Sequence, residues 1–383
     1  MAAGVVLAGL NLRVAVASVP PVLDEISRAL SLSAAAGGLL TSAPVICFGL
    51  VAPAAPVLAR RFGGEVVLAA ALVILAAGTL LRAADDTATL YAGTLVAGAA
   101  VAVGNVLVPA VIRTRFARRL GGLTGVYAAS LGVGAALAAG LTVPVEHVVG
   151  WRTSLAVWAA PAAVAAVVLA VASRPERVDV PSGGVALLRD RVAWEVTAYM
   201  GLQSLVFYAA FAWLPSILRD SGYGDSEAGA MLALVALGGI PASLVAPMLA
   251  TRARDQRFVA AALPLVEAVA VAGLLAAPVA AYAWVLLFAV GQGGAFAIAL
   301  ALIGLRASPR RPVTELSGMA QTIGYCVAAT GPFTLGALHD ASGGWDAPLA
   351  ALLGGIALLT AAGVAAGRVR AAPDDDAVVR RGA

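Results

Sequence analysis

The chain has 383 residues, 61% of them hydrophobic and only 12% charged, with a mean hydropathy of +0.94. So little polar surface cannot coat a water-soluble particle of this size, which excludes a soluble globule and requires a polytopic membrane protein. The net charge of +4 rests on arginine alone on the basic side, and its meaning is membrane topology and contact with anionic lipid headgroups, not binding of nucleic acid.

The first apolar run, from Ala2, carries an internal arginine, Arg13, and leads straight into a helical hairpin. It lacks the pattern of a cleavable signal and is expected to stay as a helix. Crossing about 30 Å of hydrocarbon takes roughly 17 to 25 residues per helix. Segments of that length fall at 3–22, 34–58, 66–82, 88–112, 121–143, 153–173, 192–218, 227–250, 257–277, 280–304, 313–337 and 347–367, which predicts twelve spans. Helix is the only conformation open to them, because each must satisfy its own backbone hydrogen bonds in lipid. Turn chemistry punctuates them, as at Arg61-Phe62-Gly63-Gly64 and Ser342-Gly343-Gly344. Residues 174–191 are polar and rich in Pro and Gly, which predicts a linker between a first bundle, 1–173, and a second, 192–370. The tail 371–383, with Asp374-Asp375-Asp376 and Arg380-Arg381, has too little apolar content to pack and is predicted to be disordered.

The two bundles repeat each other. Gly9-Leu10-Asn11 returns as Gly201-Leu202-Gln203, Leu50-Val51-Ala52-Pro53 as Leu244-Val245-Ala246-Pro247, and Leu123-Thr124-Gly125 as Leu316-Ser317-Gly318. Ordered recurrence at offsets drifting by a residue around 193 means a duplicated module, and paired bundles of this kind place a solute site at the repeat interface near the bilayer midplane. Arginine then sets the orientation. Of the 25 basic residues, 20 fall in alternate loops, only Arg28, Arg82, Arg152 and Arg219 sort to the other side, and Arg13 lies within a span. That bias predicts cytoplasmic termini in a multi-pass protein of the cytoplasmic membrane. Cys47 and Cys326 both lie in apolar segments, where they read as small buried hydrophobes.

The chain resembles the major facilitator superfamily over essentially its whole length. Within it, Asn11-Leu12-Arg13 with Ser18-Val19 and Pro21, Gly104-Asn105-Val106-Leu107-Val108-Pro109, Gly150-Trp151-Arg152, and Gly331-Pro332 through Leu338-His339-Asp340 resemble the cyanate and 2-nitroimidazole permease family. The resemblance implies an all-α membrane protein of two pseudo-symmetric six-helix bundles. The superfamily's loop after the second span normally carries an aspartate and a final arginine pair. Here Leu58-Ala59-Arg60-Arg61-Phe62-Gly63-Gly64-Glu65 lacks both, so the usual cytoplasmic gating interaction is not implied. The fifth span also lacks the Gly-Pro pairing of drug/proton antiporters, since Pro144 comes only at its end.

Candidate site residues follow from the cost of polarity. A charge at the centre of a span costs about 2.5–3.5 kcal/mol on insertion scales, so Arg13 must be paired, hydrated or used on a solute. Its guanidinium stays charged and its fork matches carboxylate-like or linear anions. Asn11, about 200° away around the helix, faces elsewhere and reads as a brace. The seventh span, repeat-mate of the first, offers Gln203, Phe207, Tyr208 and Phe211, rings with a few polar handles that suit a small planar solute. Trp213 lies nearer its outer end, where the interfacial belt is one reading. Asn105 adds an amide in the fourth span, Gln292 and Phe296 stand in the tenth, and Tyr127, Ser130, Gln321 and Tyr325 in the fifth and eleventh. Arg113 and Arg306, at matching ends of the fourth and tenth spans, are expected to help close the inner gate by bonding helix-end carbonyls of the opposite half. Glu267 is the other deep ionisable residue, but the resemblance puts its span on the periphery, where a neutral acid, a snorkelling side chain or a partner for another helix is expected.

No phosphate loop, paired zinc ligands or nucleophile elbow is present, and His147 and His339 both fall outside the spans, so no enzyme and no cofactor is expected. The expected function is a secondary transporter moving a small polar solute by alternating access, an anion of the cyanate kind or a compact planar heterocycle. A proton is the candidate coupling ion, and the carrier is expected to be a monomer in contact with membrane lipid. Efflux of a drug-like solute is the alternative among carriers, and a non-transporting sensor the alternative outside them.

Overall fold

In the computed structural model the described residues, 1–84, 86–116, 120–173, 185–308 and 311–368, are helical almost throughout. Most of the anticipated linker and the whole anticipated tail lie outside them. The helices are α1 (Ala2–Ala17), α2 (Leu23–Leu30), α3 (Ala34–Leu50), α4 (Ala54–Phe62), α5 (Gly64–Leu81), α6 (Thr87–Arg115), α7 (Leu120–Val157), α8 (Ala159–Ala172), α9 (Arg191–Asp220), α10 (Asp225–Gly238), α11 (Ile240–Arg252), α12 (Arg257–Ala276), α13 (Ala281–Leu305), α14 (Val313–Ala328), α15 (Thr330–Ser342) and α16 (Asp346–Gly367). Several starts are set by side-chain caps, with Ser33, Asp86 and Asp190 accepting from the backbone amides of Ala36, Thr89 and Ala193.

Among the described residues, nine helical stretches are long and apolar enough to cross a membrane, and ten if α3 and α4, bent by 61° at their break, count as one. One of these, 123–172, is 50 residues long and turns at Gly150, whose φ of 76° only glycine adopts without strain. It therefore supplies the fifth and sixth spans. Adding α14 with α15, broken at Ala329 just before Gly331-Pro332, gives twelve. Two further breaks follow the same chemistry: Pro53 precedes α4, and Pro241 sits in the first turn of α11, where its missing amide hydrogen is not needed.

Helix packing divides the chain in two. In the first half α1 packs on α6, α7 and α8, and α5 on α6 and α8; in the second, α9 packs on α14 and α16, and α12 on α13 and α16. The halves meet through two symmetry-related seams, α3 with α14 and α15, and α7 with α10. One apolar core fills the first half. The other fills the second half and runs across the arginine-poor side to take in Val14, Leu23, Ile26, Leu40 and Trp151. The outer surface is apolar, with Val171 85% and Val279 88% exposed, as a lipid-facing wall requires.

Four residues depart from the sequence reading. Arg82, sorted with the outer loops, is fully buried and donates to the Ala15 carbonyl at 2.6 Å, because the close approach of α5 and α6 at Gly78 and Gly93 pulls the end of α5 inward. Trp213 is not a belt residue. It is 3% exposed, donates to the Pro332 carbonyl at 2.8 Å and packs its ring on Trp345, since α15 covers the α9 face that a peripheral helix would turn to lipid. Cys326 is exposed while Cys47 is buried. Glu65, read as part of a loop, opens α5 and is buried against Arg115, which forks onto both its carboxylate oxygens and ties α5 to α6 on the arginine-rich side.

Candidate functional site

One face of α1 carries Gly9 and Arg13, four residues and so one turn apart. At Gly9 a side chain would lie 2.1 Å from Ser130 Oγ and 2.9 Å from the Tyr127 ring, so this glycine lets Tyr127 of α7 lie against α1. Arg13 follows on the same face, half-buried, and its Nη1 donates to the Tyr208 hydroxyl of α9 at 3.2 Å. The hydroxyls of Tyr325 and Tyr127 are also within electrostatic reach of the guanidinium. Helices from both halves thus bring three neutral phenols to one cation. Among the described residues no carboxylate pairs with Arg13. A charged side chain so placed must be paired, hydrated or used on a solute.

Aromatic rings wall the cluster. Phe48 of α3 sits edge-on to Tyr325 at 5.5 Å and to Tyr208 at 6.3 Å between centroids, which spans the seam between the halves. On α9, Phe207 packs 5.1 Å from Tyr208 and 5.2 Å from Phe211. Edge-on and tilted pairs at these distances are the favourable arrangements, so the rings form a fixed wall. Six of the anticipated residues, Arg13, Tyr127, Phe207, Tyr208, Phe211 and Tyr325, are therefore brought together. Phe48 escaped the sequence reading, although a ring at mid-depth on the partner face of the seam was its available signal.

The other anticipated residues lie apart from this cluster. Asn105 on α6 is half-buried beside Gly104, against which Leu12 packs, and has no side-chain hydrogen-bond partner among the described residues. Gln203 and Gln292 are 1% and 5% exposed and bond each other between α9 and α13, the Gln292 amide donating to Gln203 Oε1 and to its backbone carbonyl at 3.1 Å each. They form a brace within the second half. Asn11 donates to the Pro161 carbonyl of α8 at 3.1 Å, a brace on the opposite face from Arg13. Arg306 bonds the Ala366 carbonyl and Gln256 Oε1 of its own half, and Arg113 is exposed at the end of α6.

A second polar constellation seals the arginine-poor side. Arg219 of α9 donates to Asp24 Oδ2 at 2.5 Å and to the Pro21 carbonyl, while Ser216 Oγ donates to Asp24 Oδ1 at 2.6 Å. Asp340 of α15 accepts the first two amides of α3, from Ala34 at 2.9 Å and Ala35 at 2.7 Å. A carboxylate at a helix N-terminus meets both the unpaired amides and the positive end of the helix dipole. Burial pushes the Asp340 carboxyl up, but those amides outweigh it and hold it below the usual carboxylate range. Backbones touch beneath it: a methyl at Gly38 would fall 2.3 Å from the Pro332 carbonyl oxygen, and one at Gly336 2.2 Å from that of Ala34. On the arginine-rich side Glu65–Arg115 and Asp190–Arg311 each tie helices within one half.

Two six-helix bundles, sealed together on one side with a charged aromatic cluster at mid-depth on their seam, define a solute carrier. The chain belongs to the Major Facilitator Superfamily, whose family model matches residues 1–332. It is 37% identical to the 2-nitroimidazole transporter of Escherichia coli (strain K12) over 96% of this chain and 95% of that one. It is 36% identical to the uncharacterized transporter YycB of Bacillus subtilis (strain 168) over 96% and 93%, and 30% identical to the cyanate transport protein CynX of Escherichia coli (strain K12) over 89% and 90%. These matches place it in the cyanate and 2-nitroimidazole permease family as a transporter of small solutes. The fold is also that of a bacterial homologue of the human lysosomal transporter Spinster, solved inward-facing and occupied, at TM-score 0.75 over 95% of this chain and 92% of that one with 17% identity. The nucleoside transporter NupG matches at TM-score 0.78 over 96% and 100% with 13% identity.

Proposed function

We propose that this carrier moves a small planar anion, or a compact heterocycle bearing an anion-like oxygen pair, through the cytoplasmic membrane by alternating access. One observation carries the reading: Arg13 stands at mid-depth on the seam with neutral tyrosines around it and no carboxylate among the described residues. A cation left without a counter-ion in low dielectric attracts one, and a guanidinium fork selects planar oxygen or nitrogen acceptors. Phe48, Phe207 and Phe211 supply flat apolar walls. Gln203 and Gln292 support the wall from behind.

With the arginine-rich side cytoplasmic, as the loop bias predicts, the sealed side is external and the conformation is inward-facing. Arg113 and Arg306 then belong to the open side, where Arg306 would exchange its present bonds for carbonyls of the other half on closure. The names of the relatives support the solute class, since they include carriers named for 2-nitroimidazole and cyanate and a probable nitrate/nitrite transporter of Mycobacterium tuberculosis at 28% identity.

The test is thermal stabilisation of the purified carrier by cyanate, nitrate, bicarbonate and 2-nitroimidazole, wild type beside Arg13→Gln. Stabilisation by an anion that vanishes in the variant supports the reading. Equal stabilisation of both proteins by a neutral heterocycle would make Arg13 a brace and overturn it.

A further inference from the structure

Glu267 lies at the middle of α12 and is fully buried, with neither carboxyl oxygen hydrogen-bonded. It does not snorkel and does not face lipid. Its side chain turns into the second bundle, onto a point of α13 where glycine makes room: a methyl at Gly291 would fall 2.6 Å from Glu267 Cγ. The next residue along α13 is Gln292, whose Oε1 is itself buried without a donor. Through its amide, Gln292 holds Gln203 of α9, one turn from Phe207 in the solute wall. An unpartnered carboxyl and an unpartnered amide oxygen therefore flank one glycine, at the inner end of an amide pair that leads to the cleft.

Ionised, Glu267 would be a bare charge in hydrocarbon, since among the described residues no basic side chain pairs with it. Among the described residues the titratable side chain that faces it is Tyr199 of α9, whose hydroxyl is already donated to the Ala260 carbonyl at 3.1 Å. α13 presents Gly291 and Gln292. α16 carries no ionisable residue beyond Asp346 at one end, and α11 only Arg252 at its end. The neutral acid is the form the site accommodates, and it adds one O–H donor where acceptors stand unmet.

We propose that Glu267 is the proton-carrying site of this transporter, loaded in the conformation seen here and discharged to water when the α9–α13 amide pair rearranges in the other. The proton leaves as the carboxyl O–H bond breaks and is taken up by water, with no other reactant. The proposal rests on the chain being a carrier, but not on Arg13 binding an anion.

Two measurements test it. In proteoliposomes, Glu267→Gln is expected to keep exchange of 2-nitroimidazole or cyanate across the bilayer at zero gradient and to lose accumulation of the same probe driven by an imposed pH gradient. Undiminished gradient-driven accumulation in the variant overturns the proposal. Infrared spectra of the purified wild type in lipid at neutral pH are expected to contain the carbonyl stretch of a neutral acid, missing from Glu267→Gln and retained in Arg13→Gln. Absence of that band in the wild type overturns the proposal even if the variant folds poorly. Should the wild type exchange none of the probes, the solute reading fails while the infrared arm still decides the proton site.

Discussion

At the scale of single residues the membrane makes some side chains legible and hides others. Arg13 stood out because a charge inside a span demands a use, and one of its tyrosine partners, Tyr208, lay on the span that the repeat pairs with it. Phe48, Trp213 and Arg82 did not stand out. Rings and Arg stems pack in helices that are apolar on every side, so their direction has no trace in periodicity, and Arg82 counts as a loop charge until the α5–α6 contact pulls it inward. Gln203 looked like a pocket residue because a lone amide needs a partner, and only the structure revealed that the partner is Gln292. The chemistry of Arg13 predicts more than its loss. Arg13→Lys keeps the charge but replaces a planar fork with a point charge, so it should retain anion binding while narrowing the preference for nitrate or cyanate over chloride. Competition binding of the three ions to both proteins checks this, and unchanged preference would remove the fork from the account.

Element by element, the twelve spans were readable because length, hydropathy and turn residues all point the same way. The breaks inside them at Gly239 and Ala329 were less so, since Pro and Gly within a span signal a kink without saying how far it opens. Where two helices cross, small residues decide the conformation that can exist. α3 meets α15 backbone to backbone at Gly38 and Gly336, with no room for a methyl. Gly38→Ala should destabilise the sealed conformation by about 1–3 kcal/mol, the usual cost of overpacking. That corresponds to a population shift of roughly 5- to 150-fold. Distances between spin labels at Arg28→Cys and Gly344→Cys, with Cys47 and Cys326 replaced by Ala, should lengthen on the arginine-poor side. An unchanged distance would mean that the seam yields elsewhere.

For the whole molecule, two carboxylates hold the arginine-poor side shut. Asp24 grips Arg219, 17% exposed, in a partly solvated pair worth about 1 kcal/mol or less. Asp24→Asn should therefore raise the opened fraction only several-fold, read by the same label pair. Asp340 makes the seal acid-sensitive. Because its carboxyl is held below the usual range, its contribution is present above the ordinary carboxylate pKa of about 4 and is lost as pH falls through the lowered value. The label distance should thus lengthen on acidification in the wild type, and less so in Asp340→Asn, which is already unlatched at neutral pH.

The missing counter-ion of Arg13 has an electrical consequence. If the solute that Arg13 holds is a monovalent anion, the loaded site is neutral and the empty one carries one positive charge in the middle of the membrane field. Moving a unit charge through that field is worth about 2.3 kcal/mol per 100 mV. An interior-negative voltage therefore draws the empty site toward the cytoplasm and leaves the filled one indifferent. The resting potential would then act on the return journey of the protein and not on its cargo, making the cell's voltage a clock for the cycle.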